Sequence, residues 1–243
     1  GYCYNTETGY DYITVKYNTF GEEQWVVKFN GSDSLDDVAK AIAVDQEGNV
    51  YVTGSSRNSG TSIDCVTIKY DSNGQQLWMA QYDSKPDIDD DATGIAVDND
   101  GNVYVIVWGK FGFNTVKYNT NGQKMWAVIN NEHENSWAIP LAIAIDSDKN
   151  VYVTGSNFIT IKYNDEGVQQ WKIRYERPGY SYINNARALA LDKSGNVYVT
   201  GESHNGTNYD FITIKYSSTG QQLWANKYNN SSSRDNSNDD DDY

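Results

Sequence analysis

One cassette of residues returns five times along this chain. That recurrence limits the fold more than any other property of the sequence, because self-similarity at a period of tens of residues marks repeat architectures. DYITVKYNTFGEEQW (11–25) comes back as DCVTIKYDSNGQQLW (64–78), FNTVKYNTNGQKMW (113–126), FITIKYNDEGVQQW (158–171) and DFITIKYSSTGQQLW (210–224). Its lysines, Lys16, Lys69, Lys117, Lys162 and Lys215, are spaced by 53, 48, 45 and 53 residues. A second cassette follows the first four copies: AIAVDQEGNVYVTG, GIAVDNDGNVYVIV, AIAIDSDKNVYVTG and ALALDKSGNVYVTG. Its aspartates, Asp45, Asp98, Asp146 and Asp192, step by 53, 48 and 46 residues, so the insertions lie between the cassettes.

Each period contains four short alternating runs, of which AIAVD is strand one, NVYVTG strand two, DFITIKY strand three and QQLWANKY strand four. Turn-forming residues join the first pair, as in Asp98-Asn99-Asp100-Gly101-Asn102, and the last pair, as in Ser217-Ser218-Thr219-Gly220. The 20 Tyr and 7 Trp, against only 3 Pro and 2 Met, suit pleated, half-buried surfaces. Each period therefore reads as a four-stranded antiparallel meander. Strand three sets Ile212, Ile214 and Tyr216 on one side and Thr213 and Lys215 on the other, because side chains alternate along a strand. Radial packing lets each face meet a neighbouring sheet. Small residues of strand one, such as Ala41, Ala142 and Ala188, fit beside an axis, while Trp25, Trp78, Trp126, Trp171 and Trp224 suit the wider outer part of each wedge.

The succession AIAVDxxGNVYVTG, DFITIKY and GQQLW resembles the SBBP β-propeller repeat family across residues 1–228. The resemblance implies an all-β propeller, frequent in exported or cell-surface proteins, and it brings no catalytic residues with it. The expected fold is five repeats of four-stranded antiparallel blades with one inner strand missing, that is, four complete blades plus one partial. At the N-terminus Tyr2-Cys3-Tyr4 stands in for a second strand with no first strand before it. Two arrangements accommodate this: a five-bladed ring with one incomplete blade, or an excerpt of a larger propeller. The excerpt is the expectation, since a missing axial strand leaves unpaired backbone at a buried edge. Residues 229–243, rich in Asn, Ser and Asp, read as an acidic tail or a truncated inter-strand linker with too little apolar surface to order itself.

A formal charge of −14, from 33 acidic and 19 basic residues, repels a phosphate backbone and argues against nucleic acid as a partner. No apolar run reaches the length of about 18 residues that suggests a membrane span. Cys3 and Cys65 lack CxxC spacing and fall within strand patterns, where free Cys serves as a small apolar residue. Only two histidines occur, His133 and His204, in unrelated loops, and neither HExxH nor GxSxG is found. No catalytic residues are assigned.

In a meander the one-two and three-four turns share one rim, and the two-three and four-one loops share the other. The second set varies in length and sequence, which is where binding resides on a rigid scaffold. Its candidate ligand residues are Asp36, Asp37, Asp89, Asp90, Asp91, Trp137, Tyr180 and Tyr182, carboxylates and aromatics suited to a protein or to stacking on sugar rings. Asp89, Asp90 and Asp91 are candidate Ca²⁺ ligands, because that ion takes six to eight oxygens; no other cofactor is expected. Against this stands the simpler reading of solvated charge and turn caps. Sequons at Asn30, Asn205, Asn229 and Asn230 are candidate glycosylation sites. The expected function is a non-enzymatic extracellular or cell-surface module for binding and assembly. The alternatives are a hydrolase or lyase with acidic residues at the axial mouth, or a structural subunit that self-assembles into a filament or surface layer.

Overall fold

A computed structural model describes residues 1–59, 62–85, 88–110, 112–130, 138–175, 184–204 and 209–228. The described residues form nineteen strands in five antiparallel sheets. Sheet one has three strands, β1 (Tyr2–Asn5), β2 (Gly9–Tyr17) and β3 (Glu23–Phe29). Four sheets of four strands follow. Sheet two is β4 (Asp37–Val44), β5 (Val50–Arg57), β6 (Ile63–Tyr70) and β7 (Gln76–Tyr82). Sheet three is β8 (Asp90–Val97), β9 (Val103–Gly109), β10 (Gly112–Tyr118) and β11 (Lys124–Asn130). Sheet four is β12 (Pro140–Ile145), β13 (Val151–Gly155), β14 (Ile159–Tyr163) and β15 (Gln169–Arg174). Sheet five is β16 (Asn184–Leu191), β17 (Val197–His204), β18 (Tyr209–Tyr216) and β19 (Gln222–Tyr228). Within each sheet the strands pair in chain order, as a meander should.

One carboxylate builds the one-two turn of every complete sheet. Asp146 accepts hydrogen bonds from the backbone N–H groups of Asp148 and Asn150, at 3.0 and 2.8 Å, and from the Asn150 side chain. It also accepts from the Tyr152 hydroxyl at 2.9 Å. Asp45, Asp98 and Asp192 hold Asn and Tyr in the same way. The repeated Asp…Asn-Val-Tyr spacing is thus a turn anchor that also satisfies a tyrosine hydroxyl brought down from strand two.

First strands lie at a common centre, with β4, β8, β12 and β16 packing in succession. Each carries a bulge at the same place, between Ala39 and Ala41, Ala92 and Gly94, Pro140 and Ala142, and Ala186 and Ala188. A bulge bends and twists a strand, which suits the crowded inner edge. Apolar clusters fill the spaces between consecutive sheets, for example Phe113 and Trp126 of sheet three against Val151, Val153, Ile159 and Tyr163 of sheet four. Among the described residues substantial packing joins consecutive sheets only, so none of them covers one flank of sheet one and one flank of sheet five.

Each sheet is latched to the next. Trp25 Nε1–H donates to Ser72 O at 3.0 Å, Trp78 to Thr120 O at 2.9 Å, Trp126 to Asp165 O at 2.9 Å and Trp171 to Ser218 O at 3.1 Å. Each indole lies against the glycine of that same turn, in positive φ. A Cβ on Gly74, Gly122, Gly167 or Gly220 would come within 2.7–2.9 Å of the ring. Lys16 and Lys162 also donate to the turn carbonyl of the following sheet, and Lys117 to both the carbonyl and carboxylate of Asp165. The repeated lysines therefore act mainly between sheets; Lys215, in the last one, turns to Asp192 at 3.5 Å.

The expected cost of an absent axial strand takes another form here. β1 stands at the inner edge of sheet one and alternates between exposed and half-buried, so its unpaired backbone edge is not enclosed. Cys3 and Cys65 are both free, and Cys65 is fully buried.

Candidate binding rim

The strand ends that open into the two-three and four-one connections lie on the rim opposite the one-two turns, as the meander requires. Its aspartates are engaged in holding the scaffold. Asp37 Oδ2 accepts the Gly31 N–H at 2.6 Å, and Asp90 Oδ2 accepts the Ser84 N–H at 2.5 Å. In both cases a buried carboxylate at the start of strand one ties down the start of its own four-one loop. Burial pushes both carboxyls above the usual range.

Asp36 and Asp89, one residue earlier in each repeat, reach the preceding sheet. Asp36 Oδ1 accepts the Tyr10 N–H at 3.1 Å, and Asp89 Oδ1 the Ile63 N–H at 2.9 Å. Asp91 pairs with Lys40 on the neighbouring inner strand. Asp33 accepts the Ser59 N–H at 2.5 Å, and that hydrogen bond is the main cause holding its carboxyl below the usual range.

The three consecutive carboxylates Asp89, Asp90 and Asp91 thus point to three different partners. Among the described residues no three His, Cys, Asp or Glu side chains converge to hold a metal ion. Charge on the inner strands is paired, Lys40 of β4 with Asp91 of β8 and Arg187 of β16 with Glu202 of β17 at 2.5 Å. The two raised carboxyls, Asp37 and Asp90, are enclosed. Trp137, Tyr180, Tyr182, Asn205, Asn229 and Asn230 lie outside the described residues, whereas Asn30 is exposed just after β3.

What the rim does expose is an aromatic cluster. Tyr2, Tyr4 and Tyr10 are all exposed, and the rings of Tyr2 and Tyr4 each meet Tyr10 edge to face at 5.3 Å. The hairpin of β1 and β2 sets this geometry by pairing Tyr4 with Tyr10 and Tyr2 with Tyr12. The exposed carboxylate of Asp36 is held beside it through the Tyr10 N–H. Sequence reasoning passed over these tyrosines. The signal was there in YCYNTETGYDY, two alternating aromatic runs about a tight turn.

The opposite rim makes a pH prediction. Hydrogen bonds from Asn196 hold the Asp192 carboxyl down at about 2, from an ordinary 3.8. A folded-state value below the unfolded one means the stabilisation is complete above about pH 4 and is lost as pH falls through about 2. A carbon-13 NMR titration of Asp192 is expected to show a midpoint near 2, moving upward in Asn196→Ala. An ordinary midpoint in the unsubstituted protein would refute the turn geometry.

Comparison with known proteins agrees with this architecture. Residues 24–64 and 170–210 match the family model described as SBBP, beta-propeller repeat. Both segments run from strand four of one sheet to the start of strand three in the next. No curated protein matches. Among solved structures, a protein of unknown function from Bacteroides caccae shares the fold with a TM-score of 0.56 at 13% identity, over 91% of this chain and 76% of its own. A glycoside hydrolase structure matches with a TM-score of 0.43 at 12% identity, over 76% of this chain and 47% of its own. Sequence cassettes, sheet topology and family match converge on a β-propeller architecture, with SBBP beta-propeller repeats at residues 24–64 and 170–210.

Proposed function

We propose that this chain is a non-enzymatic binding module, extracellular or displayed at a cell surface, whose variable-loop rim engages a glycan or protein partner. The observation that supports it is the exposed Tyr2, Tyr4 and Tyr10 cluster beside Asp36. Three tyrosines offer flat apolar faces with polar edges, a surface for sugar rings or for an aromatic-rich epitope. The aspartates beneath hold the loops in place, so the tyrosines are presented on a fixed frame. Among the described residues no helix is long and apolar enough to cross a membrane.

The test is binding to an immobilised panel of glycans and surface proteins, with Tyr4→Ala and Tyr10→Ala measured against any hit. Each substitution is expected to weaken binding roughly tenfold, the equivalent of about 1.4 kcal/mol for a lost aromatic contact. Affinity unchanged in both variants would place the binding surface elsewhere.

A further inference from the structure

The latch between sheets has an unused half at each end of the stack. Trp224 occupies the position of Trp25, Trp78, Trp126 and Trp171, yet no turn among the described residues lies against it, and it is 38% exposed. Phe211 matches Phe113 and Phe158 in the repeat; those two are at most 1% exposed and Phe211 is 55% exposed. A shallow groove of about 330 Å³ runs along this flank past Arg187, Glu202, Tyr209 and Phe211.

At the other end stands the receiving half. The turn Asn18-Thr19-Phe20-Gly21 of sheet one matches Asp71-Ser72-Asn73-Gly74, the turn that takes Trp25. Gly21 has φ +80, like its four counterparts, but a Cβ there would meet nothing within 4 Å. Tyr17 follows the same pattern: it is 58% exposed, whereas its counterparts Tyr70, Tyr118, Tyr163 and Tyr216 are at most 4% exposed.

We infer that these two flanks recognise each other between copies of this chain, head to tail, with Trp224 of one copy seated on the Thr19–Gly21 turn of the next. The occupant is specified by the four interfaces inside the molecule. Each joins a tryptophan and an apolar strand-three flank to a glycine turn and a Val, Ile and Tyr flank, and among the described residues one example of each partner is left unmatched. The contact is heterologous, so it propagates into a filament or closes into a ring. It neither uses nor requires the tyrosine rim. A charge of −14 on every copy opposes association, which is therefore expected to strengthen as salt screens the repulsion.

Sedimentation velocity of the purified chain over a wide concentration range tests this. The unsubstituted protein is expected to grow beyond a dimer as concentration and salt rise. Phe211→Glu and Tyr17→Glu, both at exposed positions, are each expected to remain monomeric with unchanged circular dichroism. Mixed in equal amounts they are expected to form dimers and nothing larger, because each variant retains the flank that the other has lost. A protein that stays monomeric throughout overturns the inference, the flanks then being reserved for a further blade or for closure within the chain. So does self-association that survives in both variants, or a mixture that fails to dimerise.

Discussion

Replacing Phe158 with alanine is expected to destabilise the protein by about 3–5 kcal/mol, whereas Phe211→Ala, at the same place in the next repeat, costs less than about 1 kcal/mol. The residues are chemically identical and share a position on strand three. Phe158 is fully buried in the cluster joining sheets four and five, among Ala186, Val197 and Ile212. Removing its ring leaves a cavity that a neighbouring β-sheet is too stiff to fill. Phe211 sits on the uncovered flank of sheet five, so its loss removes little burial. Denaturant titrations of both variants, at concentrations low enough to keep the chains separate, provide the comparison. Equal losses would mean that the flank of sheet five is covered.

Gly155→Ala is expected to cost on the order of 3 kcal/mol, an overpacking penalty, and to lower the melting temperature by roughly 10 °C. A Cβ at Gly155 would lie 2.0 Å from the Ile139 carbonyl oxygen and 2.9 Å from both Pro140 Cα and Phe113 Cζ. The first clash is within sheet four, at the bulge of its inner strand, and the last is with sheet three. Sheet three itself carries Val107 where sheet four has Gly155, and the facing residue from the preceding sheet is Cys65 instead of an aromatic. Small against large replaces large against small, and the volume of the interface is kept. Phe113→Cys is costly by itself, since Phe113 is buried, but the double variant with Gly155→Ala is expected to lose less than the sum of the two single losses. The coupling is partial because the bulge carbonyl is unmoved. A double-mutant cycle by thermal denaturation measures this coupling; additive losses would show that the two positions do not share a space.

Most of the fold was legible because its determinants are local and repeated. Alternation gave the strands, the Asp-x-x-Gly-Asn cassettes gave the one-two turns, and five tryptophans marked the outer strands. The trade between Cys65 with Val107 and Phe113 with Gly155 was also written in the sequence, but it becomes visible only once consecutive repeats are known to face one another. The binding rim was less legible. Asp36, Asp37, Asp89, Asp90 and Asp91 stood out as a charge run, yet a run says nothing about direction. Folding sends Asp37 and Asp90 to their own loops, Asp36 and Asp89 to the preceding sheet, and Asp91 to Lys40. The tyrosines of β1 and β2 were hidden for the opposite reason. They sit in the one repeat that departs from the pattern, where comparison with the other copies gives no guide.

The tryptophan-on-glycine latch has a consequence for how such a sequence changes over generations. Every junction uses the same fitting, so a gene that duplicates or drops one full period leaves each surviving junction with a matching mate. Length is free to vary in whole units, whereas a point change in the indole or its glycine has to be answered on the opposing strand.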